Sequence, residues 1–120
     1  MSKPLLQIAL DNSVLSDAIS SIRQVGDEVD IIEAGTILCL AEGMEAVRCL
    51  RAMYPNKIIL ADTKCADAGK TVAENCARAG ADWMTVICSA TIPTMAAAKK
   101  EVKDLQVELY GDWTYEHAKA

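Results

Sequence analysis

Short apolar runs alternate along the chain with stretches whose apolar residues are spaced like those of a helix. The apolar runs occupy residues 5–10, 29–33, 58–60, 81–88 and 105–111, and each is typical of a β-strand. Strands therefore begin about every 25 residues, which is the length of one β/α unit. The pattern predicts an α/β fold with a parallel sheet. We expect one domain over residues 1–120, with about five strands and four to five helices.

Individual residues predict where the helices begin and end. Ser13 is a candidate N-cap for the first helix, and Gly26 is expected to follow its last turn. Residues 34–36 are expected to form the loop after the second strand, and Pro93 suits the first turn of the fourth helix. The remaining helices are predicted over about 42–53, 67–80 and 93–102, with a fifth that starts near residue 112.

Two architectures satisfy this alternation of strands and helices. A five-stranded open, doubly wound sheet fits 120 residues. A closed (β/α)8 barrel of the TIM type needs eight units and about 250 residues, so this chain would then form the first half of such a barrel. The alternation of elements does not choose between them.

Charged residues lie where the first three apolar runs end. The first two runs end at Asp11 and Glu33, and the third is followed at once by Asp62, Lys64 and Asp67. In parallel α/β proteins, ligands bind at the carboxyl ends of the strands. These side chains therefore predict a candidate active site at one edge of the sheet.

Each of these charges also has a purely structural interpretation. Asp11 and Asp67 could be helix N-caps. Asp62 and Lys64, two residues apart, could form an ordinary exposed ion pair that contributes little to stability. Glu33 could be a solvated acid at a strand end. The functional interpretation rests on the recurrence of an acid after three successive strands.

Composition excludes some classes of function. Seventeen acids against twelve bases leave a net charge of −5, and the basic residues form no cluster, so a nucleic-acid or anionic-membrane partner is not expected. The apolar runs are too short to span a bilayer, and no signal peptide precedes the first strand. Five scattered cysteines without a C-x-x-C spacing predict reduced thiols in a cytoplasmic protein.

Four motifs in order at successive strand ends carry a family resemblance. They are Leu10-Asp11, Ile32-Glu33-Ala34-Gly35-Thr36, the D-x-K-x-x-D of residues 62–67 with Ala68-Gly69, and Glu108-Leu109-Tyr110-Gly111-Asp112-Trp113-Thr114. Together they resemble the orotidine 5′-monophosphate decarboxylase superfamily. Within it the pattern is most similar to the 3-keto-L-gulonate 6-phosphate decarboxylases, with the aldol-type hexulose-6-phosphate synthases as the nearest alternative. The resemblance covers the whole chain but only the N-terminal half of those enzymes.

The resemblance implies a role for each charged residue. Glu33 and Asp62 match carboxylates that hold an essential Mg²⁺ and bind substrate, and Asp11 matches a further substrate-binding acid. Lys64 matches the catalytic lysine that interacts with the reacting oxygens, and Asp62 and Glu108 match acids beside it. The alternation of apolar and polar residues around Glu108 is equally typical of an acid that faces solvent.

The resemblance further implies a homodimer and a reaction. Asp67 matches a catalytic residue that reaches into the neighbouring subunit's site. The reaction is the Mg²⁺-dependent decarboxylation of a sugar phosphate, 3-keto-L-gulonate 6-phosphate, to L-xylulose 5-phosphate through an enediolate. The family takes a His, an Arg and its phosphate-binding loops from the second half, and His117 does not match that histidine. A catalytically inactive half-barrel that only folds and self-associates is therefore the other interpretation.

Overall fold

Strands and helices alternate in the computed structural model, which describes residues 2–108. The strands are β1 (Gln7–Leu10), β2 (Ile31–Ala34), β3 (Ile58–Cys65), β4 (Trp83–Ile87) and β5 (Asp104–Glu108). The helices are α1 (Leu15–Val25), α2 (Thr36–Glu42), α3 (Glu45–Met53), α4 (Gly69–Ala79) and α5 (Ile92–Lys99). The expected fifth helix near residue 112, the Tyr110–Trp113 turn and His117 lie outside the described residues.

The order of the strands decides between the two architectures. The sheet runs β1-β2-β3-β4-β5, and every neighbouring pair is parallel. A doubly wound sheet reverses its strand order at one point, whereas a barrel adds its strands in sequence. The fold is therefore the first half of a (β/α)8-type barrel, as one of the two sequence predictions held.

A contact between the first and last strands shows that the sheet is strongly curled. In a flat sheet, four strand spacings would separate β1 from β5 by about 19 Å. The side chain of Gln106 on β5 nevertheless donates from Nε2 to Oε1 of Gln7 on β1 at 3.3 Å. The two edge strands therefore approach each other across the concave side of the sheet.

The two faces of the sheet differ in their chemistry. Residues that alternate along the strands pack on the convex side against the helices, and they include Leu10, Ile32, Ile59, Met84 and Val86. The residues between them face the concave side and include Gln7, Glu33, Asp62, Thr85, Gln106 and Glu108. The apolar face is buried under the helices. The polar groups consequently converge on the concave face.

The start of α1 differs from its prediction. The helix begins at Leu15 with Val14 as its N-cap, so neither Ser13 nor Asp11 caps it through a side chain. Glu42, at the end of α2, instead accepts a hydrogen bond from Leu15 N–H at 3.3 Å. A carboxylate from another helix thus supplies the acceptor that a local cap would have provided.

Gly26 ends α1 for a reason other than the predicted one. Its φ of −56° is helical rather than left-handed, and a short 3-10 helix follows over Gly26–Glu28. A Cβ at this position would lie 2.4 Å from the Tyr54 ring. The glycine is therefore required by the close approach of α3's last turn.

Helix α2 is missing from the sequence prediction, which treated residues 34–36 as a loop and began the next helix near Glu42. In the structure α2 starts at Thr36, and α3 follows as a separate helix from Glu45. Its apolar residues give no amphipathic signal because Leu38 is fully buried while Leu40 is 80% exposed. The later helices agree better with prediction: α4 ends at a left-handed Gly80, and α5 has Pro93 in its first turn.

Asp82, immediately before β4, joins several segments at the amino ends of the strands. Its carboxylate accepts hydrogen bonds from Ile59 N–H at 3.0 Å, from Lys103 Nζ at 2.9 Å and from the Arg51 guanidinium. Arg51 also donates to the Gly80 carbonyl at 2.8 Å. Burial by itself would raise the pKa of Asp82, but these donors together hold it below its usual range. We call these contacts the Arg51–Asp82 latch.

A cavity of about 680 Å³ lies beside the Arg51–Asp82 latch, lined in part by Lys57, Trp83 and Lys103. It is at the end of the sheet opposite the predicted site. In barrels of this type, residues at the amino ends of the strands usually serve stability. Among the described helices, none is both long and apolar enough to cross a membrane.

Candidate functional site

The charged residues of the third strand contact each other on the concave face. Lys64 Nζ lies 2.6 Å from Asp62 Oδ2 and 3.2 Å from Glu108 Oε2. The prediction that Asp62 and Lys64 follow the strand is wrong, because β3 continues through both of them to Cys65. Side chains two residues apart on a strand share a face, which explains how both reach the concave side. The ion pair is also not an ordinary exposed one, since Asp62 is only 5% exposed.

The backbone of β3 is irregular at this pair. Lys64 has a φ of 49°, in the left-handed region, and the pairing with β4 shifts register between Ala61 and Cys65. A non-glycine residue in that region costs about 1–2 kcal/mol. Thr85 on β4 compensates in part: its hydroxyl accepts a hydrogen bond from Lys64 N–H at 2.9 Å and donates to Asp62 Oδ1 at 2.7 Å.

The charge state of the three contacting groups follows from their surroundings. Burial would raise the pKa of Asp62, but hydrogen bonds from Lys64, Thr85 and Thr36 lower it overall. Burial would lower the pKa of Lys64, but Asp62 and Glu108 raise it. Burial raises the pKa of Glu108; Lys64 opposes that rise and the Asp62 charge adds to it. An ionised Asp62 beside a protonated Lys64 is therefore the stable arrangement.

Glu33 occupies a second position on the concave face. It lies within β2, is 8% exposed and accepts a hydrogen bond from Gln7 Nε2 at 2.7 Å. Gln106 holds Gln7 in turn, as described above. Burial, followed by the charge of Asp62, raises the pKa of Glu33 to about 7, although the Gln7 hydrogen bond opposes this. Glu33 is thus a buried member of the acid group and not a solvated strand end.

Asp11 is placed near Glu33 by a glycine. Asp11 follows β1 directly, and its charge contributes to the raised pKa of Glu33. A Cβ on Gly35 would lie 2.0 Å from Asp11 Oδ1 and 2.7 Å from the Leu10 carbonyl. Any larger residue at position 35 would therefore displace the Asp11 carboxylate. The Ala34-Gly35-Thr36 segment is where this space is made.

Asp67 lies apart from the other predicted site residues. It is exposed in the turn between β3 and α4, and its backbone carbonyl accepts a hydrogen bond from the Cys65 thiol at 2.9 Å. It is not the N-cap of α4 either, because that position is Ala68 with a left-handed φ of 51°. The structure thus brings together Asp11, Glu33, Asp62, Lys64 and Glu108 and leaves Asp67 on the surface.

Sequence reasoning missed the neutral polar residues that hold these charges. Thr85 binds Asp62 and Lys64, Gln7 and Gln106 bridge to Glu33, and the Thr36 hydroxyl donates to the Asp62 carbonyl at 2.8 Å. A signal existed, because Gln7, Thr85 and Gln106 interrupt otherwise apolar strands. Their alternation in phase with the charged residues would have placed them on the same face.

The acid group fits a divalent cation. Four carboxylates influence one another here, and the Glu33 pKa rises through the charges of Asp62, Asp11 and Glu108, while Lys64 contacts Asp62 and Glu108. Within residues 2–108, no three Asp, Glu, Cys or His side chains form a ready-made metal cage. Mg²⁺ commonly takes only one or two protein carboxylates and keeps water in its other positions. Glu33 and Asp62 are suited to that arrangement.

Comparison with known proteins assigns the chain to a family. Residues 4–120 match the sequence model of the orotidine 5′-phosphate decarboxylase / HUMPS family. The chain belongs to this family. This membership agrees with the sequential parallel sheet and with the resemblance carried by the four motifs.

Several members of the family are close relatives. The 3-keto-L-gulonate-6-phosphate decarboxylase UlaD of Escherichia coli (strain UMN026) is 54% identical over 122 residues, which covers 98% of this chain and 56% of UlaD. KGPDC from Streptococcus mutans, solved in complex with D-ribose 5-phosphate, is 59% identical with a TM-score of 0.91, over 98% of this chain and 60% of that one. The 3-hexulose-6-phosphate synthase of Salmonella typhimurium is 34% identical with a TM-score of 0.84, over 88% of this chain and 52% of that one. The chain therefore spans a little over half the length of these relatives.

Proposed function

We propose that this chain supplies the carboxylate and lysine part of the active site of a 3-keto-L-gulonate 6-phosphate decarboxylase. The observation that carries the proposal is the Lys64 ammonium held between Asp62 and Glu108 on the concave face. The 54% identity to UlaD and the 59% identity to KGPDC support it. The identity of 34% to a hexulose-6-phosphate synthase makes the aldol-type reaction the second candidate.

The arrangement suits the decarboxylation of a β-keto acid. When the bond to the carboxylate carbon breaks, CO₂ leaves and its electron pair stays on the sugar as an enediolate, which is then protonated on carbon. Two adjacent oxygens consequently carry developing negative charge. The protonated Lys64 provides a positive charge and hydrogen-bond donors for these oxygens. Asp62 and Glu108 hold that ammonium in place and keep it charged.

Mg²⁺ is the proposed cofactor, held by Glu33 and Asp62. When bound, it supplies a Lewis acid that neutralises charge on the substrate oxygens. Asp11 is proposed to bind substrate hydroxyls, since its carboxylate lies against Gly35 at the open end of the group. The substrate is proposed to be a sugar phosphate, a class supported by the D-ribose 5-phosphate bound to the relative from Streptococcus mutans.

Release of CO₂ from 3-keto-L-gulonate 6-phosphate tests the function. With Mg²⁺ present, Lys64→Ala should reduce the rate by about 10²–10³-fold, because the charge stabiliser of the enediolate is lost. Lys70→Ala is the matched control, since Lys70 is an exposed lysine that pairs only loosely with Glu74 at 3.7 Å. Equal rates for the unmodified chain and Lys64→Ala would overturn the proposed role.

The inactive half-barrel has its own outcome in the same experiment. No CO₂ release, combined with Mg²⁺-dependent binding of D-ribose 5-phosphate that Lys64→Ala removes, would favour a chain that binds ligand without turnover. No binding and no turnover would overturn both functional interpretations.

Self-association is proposed as well, with Asp67 contributing across subunits. Within residues 2–108, β1 pairs only with β2 and β5 only with β4, so each has an unpaired edge. Such edges favour association with another chain. Asp67 is exposed at the end of the sheet where the charges converge. We expect a dimer in size-exclusion chromatography with light scattering; a stable monomer at micromolar concentration would contradict this.

A cytoplasmic location is proposed from the thiols. All five cysteines are unpaired, and Cys65 and Cys76 are buried. Burial raises the pKa of Cys76 to about 12, so this thiol is chemically inert. Unpaired, protonated thiols are usual in a reducing compartment.

A further inference from the structure

Thr85 is the residue on which three consecutive positions of β3 converge. Its hydroxyl donates to Asp62 Oδ1 at 2.7 Å and accepts from Lys64 N–H at 2.9 Å. Its backbone carbonyl accepts a hydrogen bond from the Thr63 hydroxyl at 3.0 Å. The Asp-Thr-Lys segment is therefore attached to one residue of the neighbouring strand at each of its positions.

The attachment lies where β3 departs from regular strand geometry. Regular pairing to β4 is interrupted between Ala61 and Cys65, so the ladder cannot hold the Lys64 amide there. Lys64 also has a φ of 49°, which an L-residue adopts only when its surroundings hold it. The Thr85 hydroxyl supplies the acceptor that the interrupted ladder lacks.

The burial of Thr85 separates this role from ordinary packing. Thr85 is 0% exposed on a central strand, between Met84 and Val86, which are also fully buried. Valine has the same shape and would fill this position without a polar group to satisfy. A hydroxyl is worth burying here only because both its donor and its acceptor function are used.

We propose that Thr85 is a positioning residue that sets the carboxylate of Asp62 and the left-handed backbone of Lys64. The geometry makes one hydroxyl responsible for the orientation of both charged groups. This inference rests on the proposed function for its chemical meaning, since Asp62 is there a metal ligand and Lys64 the catalytic cation. Partners that orient metal ligands typically change metal affinity by about 10–100-fold when removed.

Three variants test this role. Thr85→Val keeps the shape and removes the hydroxyl, Thr85→Ser keeps the hydroxyl, and Thr63→Val removes a neighbouring hydroxyl that does not touch the Asp62 carboxylate. Two properties are measured: hydrogen exchange of the Lys64 amide by NMR, and Mn²⁺ affinity by electron paramagnetic resonance. We expect Thr85→Val alone to lose Lys64 amide protection and to weaken Mn²⁺ binding about tenfold or more. Thr85→Ser and Thr63→Val should keep both properties.

The outcomes distinguish this inference from the proposed function. If Thr85→Val retains protection of the Lys64 amide, the positioning role is overturned. If Thr85→Ser loses protection and affinity as fully as Thr85→Val, the hydroxyl is not responsible, and the role is overturned as well. If no chain binds Mn²⁺ and only Thr85→Val loses amide protection, the positioning role is supported and the proposed metal site is overturned.

Discussion

Glu33→Gln is expected to stabilise the metal-free chain by about 3 kcal/mol at pH 8 and by much less at pH 5. The pKa of Glu33 is raised from 4.5 to about 7 in the folded chain. Between these two values the folded state binds more protons than the unfolded state, so the free energy of unfolding falls as the pH rises. Above pH 7 the folded chain carries the full cost of an ionised Glu33. Glutamine keeps the shape and removes that cost.

Urea denaturation in the presence of EDTA at pH 5, 6, 7 and 8 measures this effect. Glu28→Gln is the matched control, because Glu28 is an exposed acid in the 3-10 helix after α1. A stabilisation by Glu33→Gln that is equal at pH 5 and pH 8 would contradict the ionisation account.

Mg²⁺ should reverse the order of stability. A cation that binds only the folded chain stabilises it by mass action. The unmodified chain should therefore gain stability with Mg²⁺, whereas the double variant Glu33→Gln/Asp62→Asn should not respond. Thermal melting at increasing Mg²⁺ concentration checks this. A response that survives both substitutions would argue against Glu33 and Asp62 as the metal ligands.

Asp82→Asn is expected to destabilise the chain by about 3 kcal/mol at pH 7. The Asp82 side chain is 13% exposed and holds Arg51, Lys103 and the Ile59 amide, so its neutralisation leaves a partly buried guanidinium without its counter-ion. The pKa of Asp82 is lowered from 3.8. Its stabilising contribution is therefore complete above about pH 4 and is lost as the pH falls through the lower, folded value.

The unmodified chain and Asp82→Asn should consequently converge in stability at acidic pH. Lys103→Met separates the buried from the exposed part of the latch: the Lys103 side chain is 80% exposed, so its loss should cost less than about 1 kcal/mol. Urea midpoints from pH 2.5 to 7 provide the measurement. A constant difference between the unmodified chain and Asp82→Asn across that range would show that the carboxylate charge is not responsible.

The two substitutions act at opposite ends of the sheet and in opposite directions. The Arg51–Asp82 latch at the amino ends of the strands pairs its charges fully and stabilises the fold. The acid group on the concave face places Glu33 beside Asp62 with a raised pKa, which costs stability. Groups whose pKa values are shifted by burial and like charges are typical of functional sites. The contrast supports the concave face as the working surface.

The sequence by itself determined the alternation of strands and helices, the parallel sheet and most of the charged residues of the candidate site. These features depend on local periodicity and on motifs whose residues are adjacent in the chain. Helix α2 escaped prediction because Leu38 is buried and Leu40 is exposed without a regular stripe. The cap of α1 escaped prediction because its acceptor, Glu42, comes from another helix.

Only the tertiary structure decided that the sheet adds its strands in order and curls. Curvature depends on contacts such as that between Gln7 and Gln106, which are 99 residues apart in sequence. Only the structure also separated Asp67 from the other acids and brought Thr85 to Asp62 and Lys64. The physical reason is that a residue's face on a strand follows from local alternation, whereas its partner across the sheet follows from strand order, register and the interruption of the ladder in β3.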